Sequence, residues 1–268
     1  MKKKNFTNII LVFILLLGLS LLLYPTVSDY YNSFHQTRAI AHYADTVSNL
    51  DENNYEQMYE DAIKYNQRRT SFHYSLSDAE ILEYESLLDV TGTGIMGYIE
   101  IPKIRCSLPI YHGTDEAVLQ IAIGHLEWSS LPVGGTSTHC VLSGHRGLPS
   151  AKLFSNLDKL EMGDTFMLRT LNEVLTYEVD QILIVEPQEM TSLQIEPGKD
   201  LCTLVTCTPY GVNSHRLLVR GHRVENKDIA VFVTADASQI DPMIVSGALA
   251  IPIFIILIIV LLIPKKRG

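Results

Sequence analysis

Two uncharged apolar stretches, one near each end, constrain this chain more than anything between them. Met243–Ile263 runs for 21 residues without a charged side chain, and Lys265, Lys266 and Arg267 follow it. A helix of that length crosses a hydrocarbon layer of about 30 Å. Pro252 falls inside it, which membrane helices tolerate. Ile9–Tyr24 is the second stretch, 16 residues after Lys2, Lys3 and Lys4. A span needs about 20 residues, and Val27 and its neighbours extend this one. A cleaved signal peptide has the same basic start and apolar middle, but no Ala-x-Ala site follows in Tyr24-Pro25-Thr26-Val27-Ser28-Asp29. The stretch therefore reads as an uncleaved anchor. Basic flanks stay on the cytoplasmic side, so both termini are expected inside and everything between them outside.

Charge agrees with that split. The chain holds 21 basic and 30 acidic residues, a net of −9. Six of the basic residues lie in the two tails, which leaves 15 against 30 in between, a net of −15. Phosphate backbones need a basic stripe, so nucleic acid is not an expected partner.

Composition and punctuation divide the chain further. Residues 1–27 form the tail and anchor, 28–67 a helical extension, 68–94 a polar, lid-like linker, 95–225 a β-rich region, 226–242 a linker, 243–263 the second span and 264–268 the basic tail. In 28–67, which has no proline or glycine, apolar and aromatic residues recur at near-helical spacing. The spacing predicts two amphipathic helices broken near Asp51-Glu52-Asn53-Asn54, with Asn53 or Asn54 as N-cap. A further helical pattern covers Ile81–Leu88.

From Ile95 onward, short β-rich runs alternate with Pro/Gly turns. Strands are expected at Met96–Ile101, Cys106–Ile110, His139–Ser143, Phe166–Thr170, Leu175–Val185, Leu201–Cys207 and Arg216–Val224, and short helices at Asp115–Ile121 and Ser150–Asn156. Strands of this length between turns make a closed barrel or a sandwich. No GxGxxG or P-loop pattern occurs, so no nucleotide site is expected.

Four cysteines occur, at 106, 140, 202 and 207, with no CxxC pair, so neither a zinc site nor another metal or cofactor is expected. An external chain permits disulfides. Cys106, Cys140 and Cys202 lie in apolar runs and read as small buried hydrophobes. Cys207 differs, because Thr208-Pro209-Tyr210-Gly211 follows at once and a strand ending at such a turn exposes its last side chain. A thiol needs a base or a cation to act as a nucleophile, and an acyl intermediate needs a positive group near its oxyanion. His145 and Arg216 supply one of each. His112, His125, His139, His215 and His222 compete with His145, and Arg220 with Arg216.

Leu142-Ser143-Gly144-His145-Arg146-Gly147, Thr203-Leu204-Val205-Thr206-Cys207-Thr208-Pro209-Tyr210-Gly211 and His215-Arg216-Leu217-Leu218-Val219-Arg220-Gly221 together resemble the sortase family of cysteine transpeptidases. Gly97–Ile104 and Pro109–Thr114 add to the likeness, which covers about half of the chain. The Thr-Cys-Thr-Pro-Tyr-Gly form, the two spans and the helical extension resemble the class C, pilus-building members. The resemblance implies a mainly β fold, a closed eight-stranded sortase-type barrel with short helices. It implies Cys207 as nucleophile, His145 as acid/base and Arg216 as substrate and oxyanion holder. It also implies substrates with a C-terminal Leu-Pro-x-Thr-Gly-like signal, cut between Thr and Gly and joined to a lysine of another pilin. Attachment of surface proteins to the cell-wall precursor, plain cysteine proteolysis and a non-catalytic membrane scaffold are the alternatives. Class C enzymes usually carry an Asp-Pro-aromatic lid. This chain has no proline between Pro25 and Pro102, so a lid that is degenerate, shifted or open is expected, with Phe72 or Tyr74 as the residue that would cover the thiol.

Overall fold

The computed structural model describes residues 2–69 and 75–226, together with Ile255. The expected span at 243–263 lies outside the described residues apart from Ile255, and so do the expected lid residues Phe72 and Tyr74. The chain divides into two units. One contains the residues up to Ser28, and the other is Asp29–Lys227.

Helix α1 covers Lys2–Ser48. From Ile10 onward it is long and apolar enough to cross a membrane, with a mean hydropathy of 2.5 in its best window and none of that window buried. Within the second unit α1 is a docking element. Asp29, Asn32 and Gln36 recur at i, i+3 and i+7, so they share a face. Asp29 Oδ1 accepts from Lys152 N (2.8 Å), Asn32 Nδ2 donates to Ser150 O (2.8 Å) and Gln36 Nε2 donates to Ile121 O (2.7 Å). Tyr43 and Val47 are buried. The Tyr43 hydroxyl donates to Met96 O (3.1 Å) and accepts from Leu171 N (2.8 Å).

Helix α2 is Glu52–Arg68, so the break falls at 49–51, ahead of the expected 51–54 run, most of which opens α2. The N-cap is Asp51, not Asn53 or Asn54. The carboxylate of Asp51 accepts from Asn54 N at 3.0 Å, and Asn54 is therefore the capped residue. Asn66 fastens α2 to the rest. Its amide donates to Leu131 O (3.1 Å) and accepts from Leu131 N (2.8 Å). Helix α3, Asp78–Ser86, starts on a capping box between Ser77 and Glu80.

Eight strands follow: β1 Ile95–Ile101, β2 Cys106–His112, β3 Ile123–His125, β4 Thr138–Ser143, β5 Thr165–Thr170, β6 Glu173–Val185, β7 Asp200–Thr208 and β8 His215–Val224. They close into a barrel in the order β1-β2-β3-β4-β7-β8-β6-β5. The β2–β3 and β4–β7 pairs are parallel and the others antiparallel. Strand β3 has no counterpart among the seven expected strands, because three residues cannot display a period of two. Helix α4, Glu116–Leu119, stands within the expected 115–121 segment.

The helix expected over 150–156 is absent. Turns occupy that segment, followed by a short 3-10 turn at Leu157–Lys159. Leu153 has φ of 37°, in the left-handed region that breaks a helix.

The interior is filled by alternate strand residues, among them Ile99, Ile110, Leu142, Phe166, Leu168, Tyr177, Leu204 and Val219. A second, smaller cluster of Trp128, Val141, Leu193, Val205 and Leu218 packs on the other face of β4, β7 and β8.

Candidate active site

Strand pairing places the candidate residues. Cys207 on β7 faces Arg216 on β8 in antiparallel register. Side chains alternate along a strand, so Cys207 shares a face with Val205, and Arg216 with Leu218. Both side chains therefore lie on the face of the smaller apolar cluster, away from the barrel interior. Strand β4 runs parallel to β7, with Ser143 opposite Val205. The pairing continues one step beyond β4. Gly144 N donates to Val205 O (3.0 Å), and Gly144 O accepts from Thr206 Oγ1 (2.8 Å). Continued once more, it sets His145 level with Cys207. Three residues far apart in sequence thus reach one rim.

Glycine is required at 144. A Cβ there would stand 2.7 Å from Phe154 Cδ2 and 2.8 Å from Ile123 Cγ2. The loop after β4 therefore lies directly on the core.

Cys207 is a free, partly exposed thiol. The other three cysteines are also free. Burial pushes the Cys106 thiol up to about 12 and the Cys202 thiol well above its ordinary range. Cys140 and Cys202 are opposed in register and buried. The His145 side chain is 29 % exposed, and its Nε2 lies 3.9 Å from Glu116 Oε2. The Arg216 guanidinium donates to His215 O (3.2 Å) and Asn213 O (3.4 Å) and, among the described residues, pairs with no carboxylate.

The competing residues are occupied elsewhere. His125 is fully buried, with Nδ1 against the Tyr84 hydroxyl (2.9 Å) and Nε2 against Ser130 O (2.8 Å). His139 is equally buried, between Gln194 O (2.8 Å) and Thr203 Oγ1 (2.7 Å). His112 meets Gly94 O (3.0 Å) and Leu87 O (2.8 Å), and burial lowers its pKa. His215 stands 3.3 Å from Glu186, and His222 3.8 Å from Asp180. Arg220 is held by Asp180 at 2.9 Å and Glu196 at 2.6 Å. Among the described residues no three His, Cys, Asp or Glu side chains are grouped to hold a metal ion.

Two features of the site are not visible in the sequence as such. Glu116 on α4 lies 3.9 Å from the imidazole, a proximity that no spacing in the sequence shows. Arg146, next to His145, lies with Asp158, Thr208, Pro209 and Tyr210 along a groove of about 690 Å³. Ile182, Ile184 and Leu217 form its apolar wall. Thr208 and Leu217 alternate with Cys207 and Arg216, so the groove opens on the other side of the same rim.

Residues 99–224 match the sortase domain family. Sortase D of Bacillus subtilis is 34% identical over 131 residues, 48% of this chain and 63% of the relative, so the match spans somewhat less than two thirds of that protein. The crystal structure of sortase C1 from Streptococcus agalactiae superposes with a TM-score of 0.70 at 57% identity, covering 71% of this chain and all of that one. Sortase C of Streptococcus pneumoniae, a structure described for its catalysis and pilin substrate specificity, gives 0.62 at 41% identity, covering 70% and 97%.

Proposed function

The chain belongs to the sortase family, and from that membership we propose that it is a membrane-anchored cysteine transpeptidase that polymerises pilins. The Cys207 thiolate attacks the Thr carbonyl of a Leu-Pro-x-Thr-Gly-like signal. The Arg216 guanidinium, charged at any working pH, stabilises the oxyanion. His145 protonates the departing Gly amine, and the C–N bond breaks to leave a thioester on Cys207. The lysine amine of the next pilin then attacks that thioester and loses its proton to His145. The thiolate departs and an isopeptide bond remains. One observation carries the reading: register brings Cys207, Arg216 and the His145 loop to a single rim.

The N-terminal helix supplies the anchor. We place both termini in the cytoplasm and the barrel outside, on the strength of the basic residues at the two ends. For residues 72–74 we propose an open lid. Phe72→Ala and Tyr74→Ala are then expected to leave alkylation of Cys207 unchanged, and faster alkylation in either variant defeats the open lid.

The detergent-solubilised full chain is incubated with a pilin subunit that carries a sorting signal. A ladder of covalent multimers, and a thioester mass on Cys207, are expected. Product joined only to cell-wall precursor peptide selects the wall-anchoring alternative. Free acid formed despite abundant amine selects proteolysis, and no processing at all selects the scaffold.

A further inference from the structure

We propose that Arg146 is a positioning residue, a clamp that fixes the His145 loop against the end of β7 that carries Cys207. The proposal rests on the transpeptidase reading above. The imidazole has little side-chain support of its own. Among the described residues its charged neighbour is Glu116, 3.9 Å away with a side chain 75 % exposed. The backbone must therefore set the position of His145, and that backbone is held through its neighbour. Arg146 Nη2 pairs with Asp158 Oδ2 at 2.5 Å, Nη1 donates to Thr208 Oγ1 at 3.3 Å, and the guanidinium lies 5.9 Å from the Tyr210 ring centre. One planar group thus joins three segments: the loop after β4, the 3-10 turn at Leu157–Lys159 and the turn after Cys207.

Two backbone ties complete the loop. Phe154 N donates to His145 O (3.1 Å), and Gly147 N donates to Ser155 Oγ (3.0 Å). Despite these bonds, the Arg146 side chain is 9 % exposed, and its Nε is buried with no partner among the described residues. A buried, unpaired N–H on a charged group is unfavourable. Stability alone therefore does not account for an arginine here, whereas holding two reacting groups in a fixed relation does. Reacting groups must be held to about 0.5 Å, and a misplacement of about 1 Å costs on the order of 100-fold in rate.

The test uses the full chain in detergent and two readouts: turnover of a sorting-signal peptide with an added amine, and alkylation of Cys207 by iodoacetamide mapped by mass spectrometry. R146A is expected to lower kcat by about 10- to 100-fold with the donor-peptide KM within about twofold. R146K, which keeps the charge and loses the fork, is expected not to recover it. Because the clamp acts through the imidazole, R146A placed in an H145A background is expected to change either rate by less than about twofold. D158N and Thr208→Val each release one arm, so smaller losses of the same kind are expected even where R146A does not fold. R146A, D158N and Thr208→Val all matching the wild type, full recovery by R146K, or an undiminished R146A effect in H145A would each overturn the clamp. Slower Cys207 alkylation in R146A that disappears in the H145A background, without any peptide turnover, would overturn the transpeptidase reading and leave the clamp standing.

Discussion

At the scale of single residues, chemistry and packing are separable. Cys207→Ala removes the partly exposed thiol at the end of β7, and is expected to abolish acyl-enzyme formation without loss of fold. Thioester mass spectrometry together with a denaturation midpoint checks both halves. Arg216→Lys keeps a cation but loses the planar fork. A kcat loss of about 100-fold is expected, the low end of the roughly 100- to 1,000-fold cost of losing one oxyanion donor, because the cation is kept. Tyr43 lies far from this chemistry. Its hydroxyl satisfies Met96 O and Leu171 N in a buried setting, so Tyr43→Phe strands two backbone groups. The expected cost is about 1–3 kcal/mol, read from the urea midpoint of the full chain, with catalysis per folded molecule unchanged.

At the scale of elements, the β-rich region was legible wherever strands are long enough to show alternation. Alternation marks seven strands and eight form, the number the family resemblance implies, because β3 contributes only Ile123–His125. Its place is set by backbone contact instead: a Cβ on Gly124 would sit 2.1 Å from Gly113 O. A helix break was also readable, but the polar run at 51–54 places it a few residues late, since the interruption lies at 49–51 and the run opens α2. The cap is Asp51 rather than Asn53 or Asn54, because all three are cap-forming residue types and spacing cannot say which one begins the helix. The 150–156 segment misled because Ala151, Leu153, Phe154 and Leu157 are all buried, which gives a helix-like composition without helical backbone. Helix α2 supplies a test at this scale. Asn66→Ala removes both bonds to Leu131, and a loss of about 1–3 kcal/mol is expected. Limited proteolysis within Glu52–Arg68 should speed up, and an unchanged cleavage rate would show that apolar contacts alone hold the helix.

At the scale of the whole molecule, pH and topology become measurable. Burial lowers the His139 pKa to about 4, with Arg220 acting the same way and Glu196 and Asp180 opposing. Unfolded histidine titrates near about 6.5. The unfolded chain therefore binds a proton that the native chain refuses, and stability rises with pH across that interval. The contribution of His139 is present above pH ~6.5 and is lost as pH falls toward about 4. His139→Gln is expected to flatten the slope of the unfolding midpoint over that window; an unaltered slope would remove His139 from the account. For topology, a membrane-impermeant thiol reagent on intact cells is expected to label Cys207. Labelling only after lysis would place the barrel inside. The sequence by itself determined the apolar ends, the alternating strands and the three candidate residue types, because hydropathy and side-chain period are local properties. Only the tertiary structure decided that β4 runs parallel to β7 and β8 antiparallel to it, so that residues 145, 207 and 216 share a rim. Likewise, only barrel closure brought Asp158, Thr208 and Tyr210 around Arg146, because strand order and register depend on how the whole sheet buries its core.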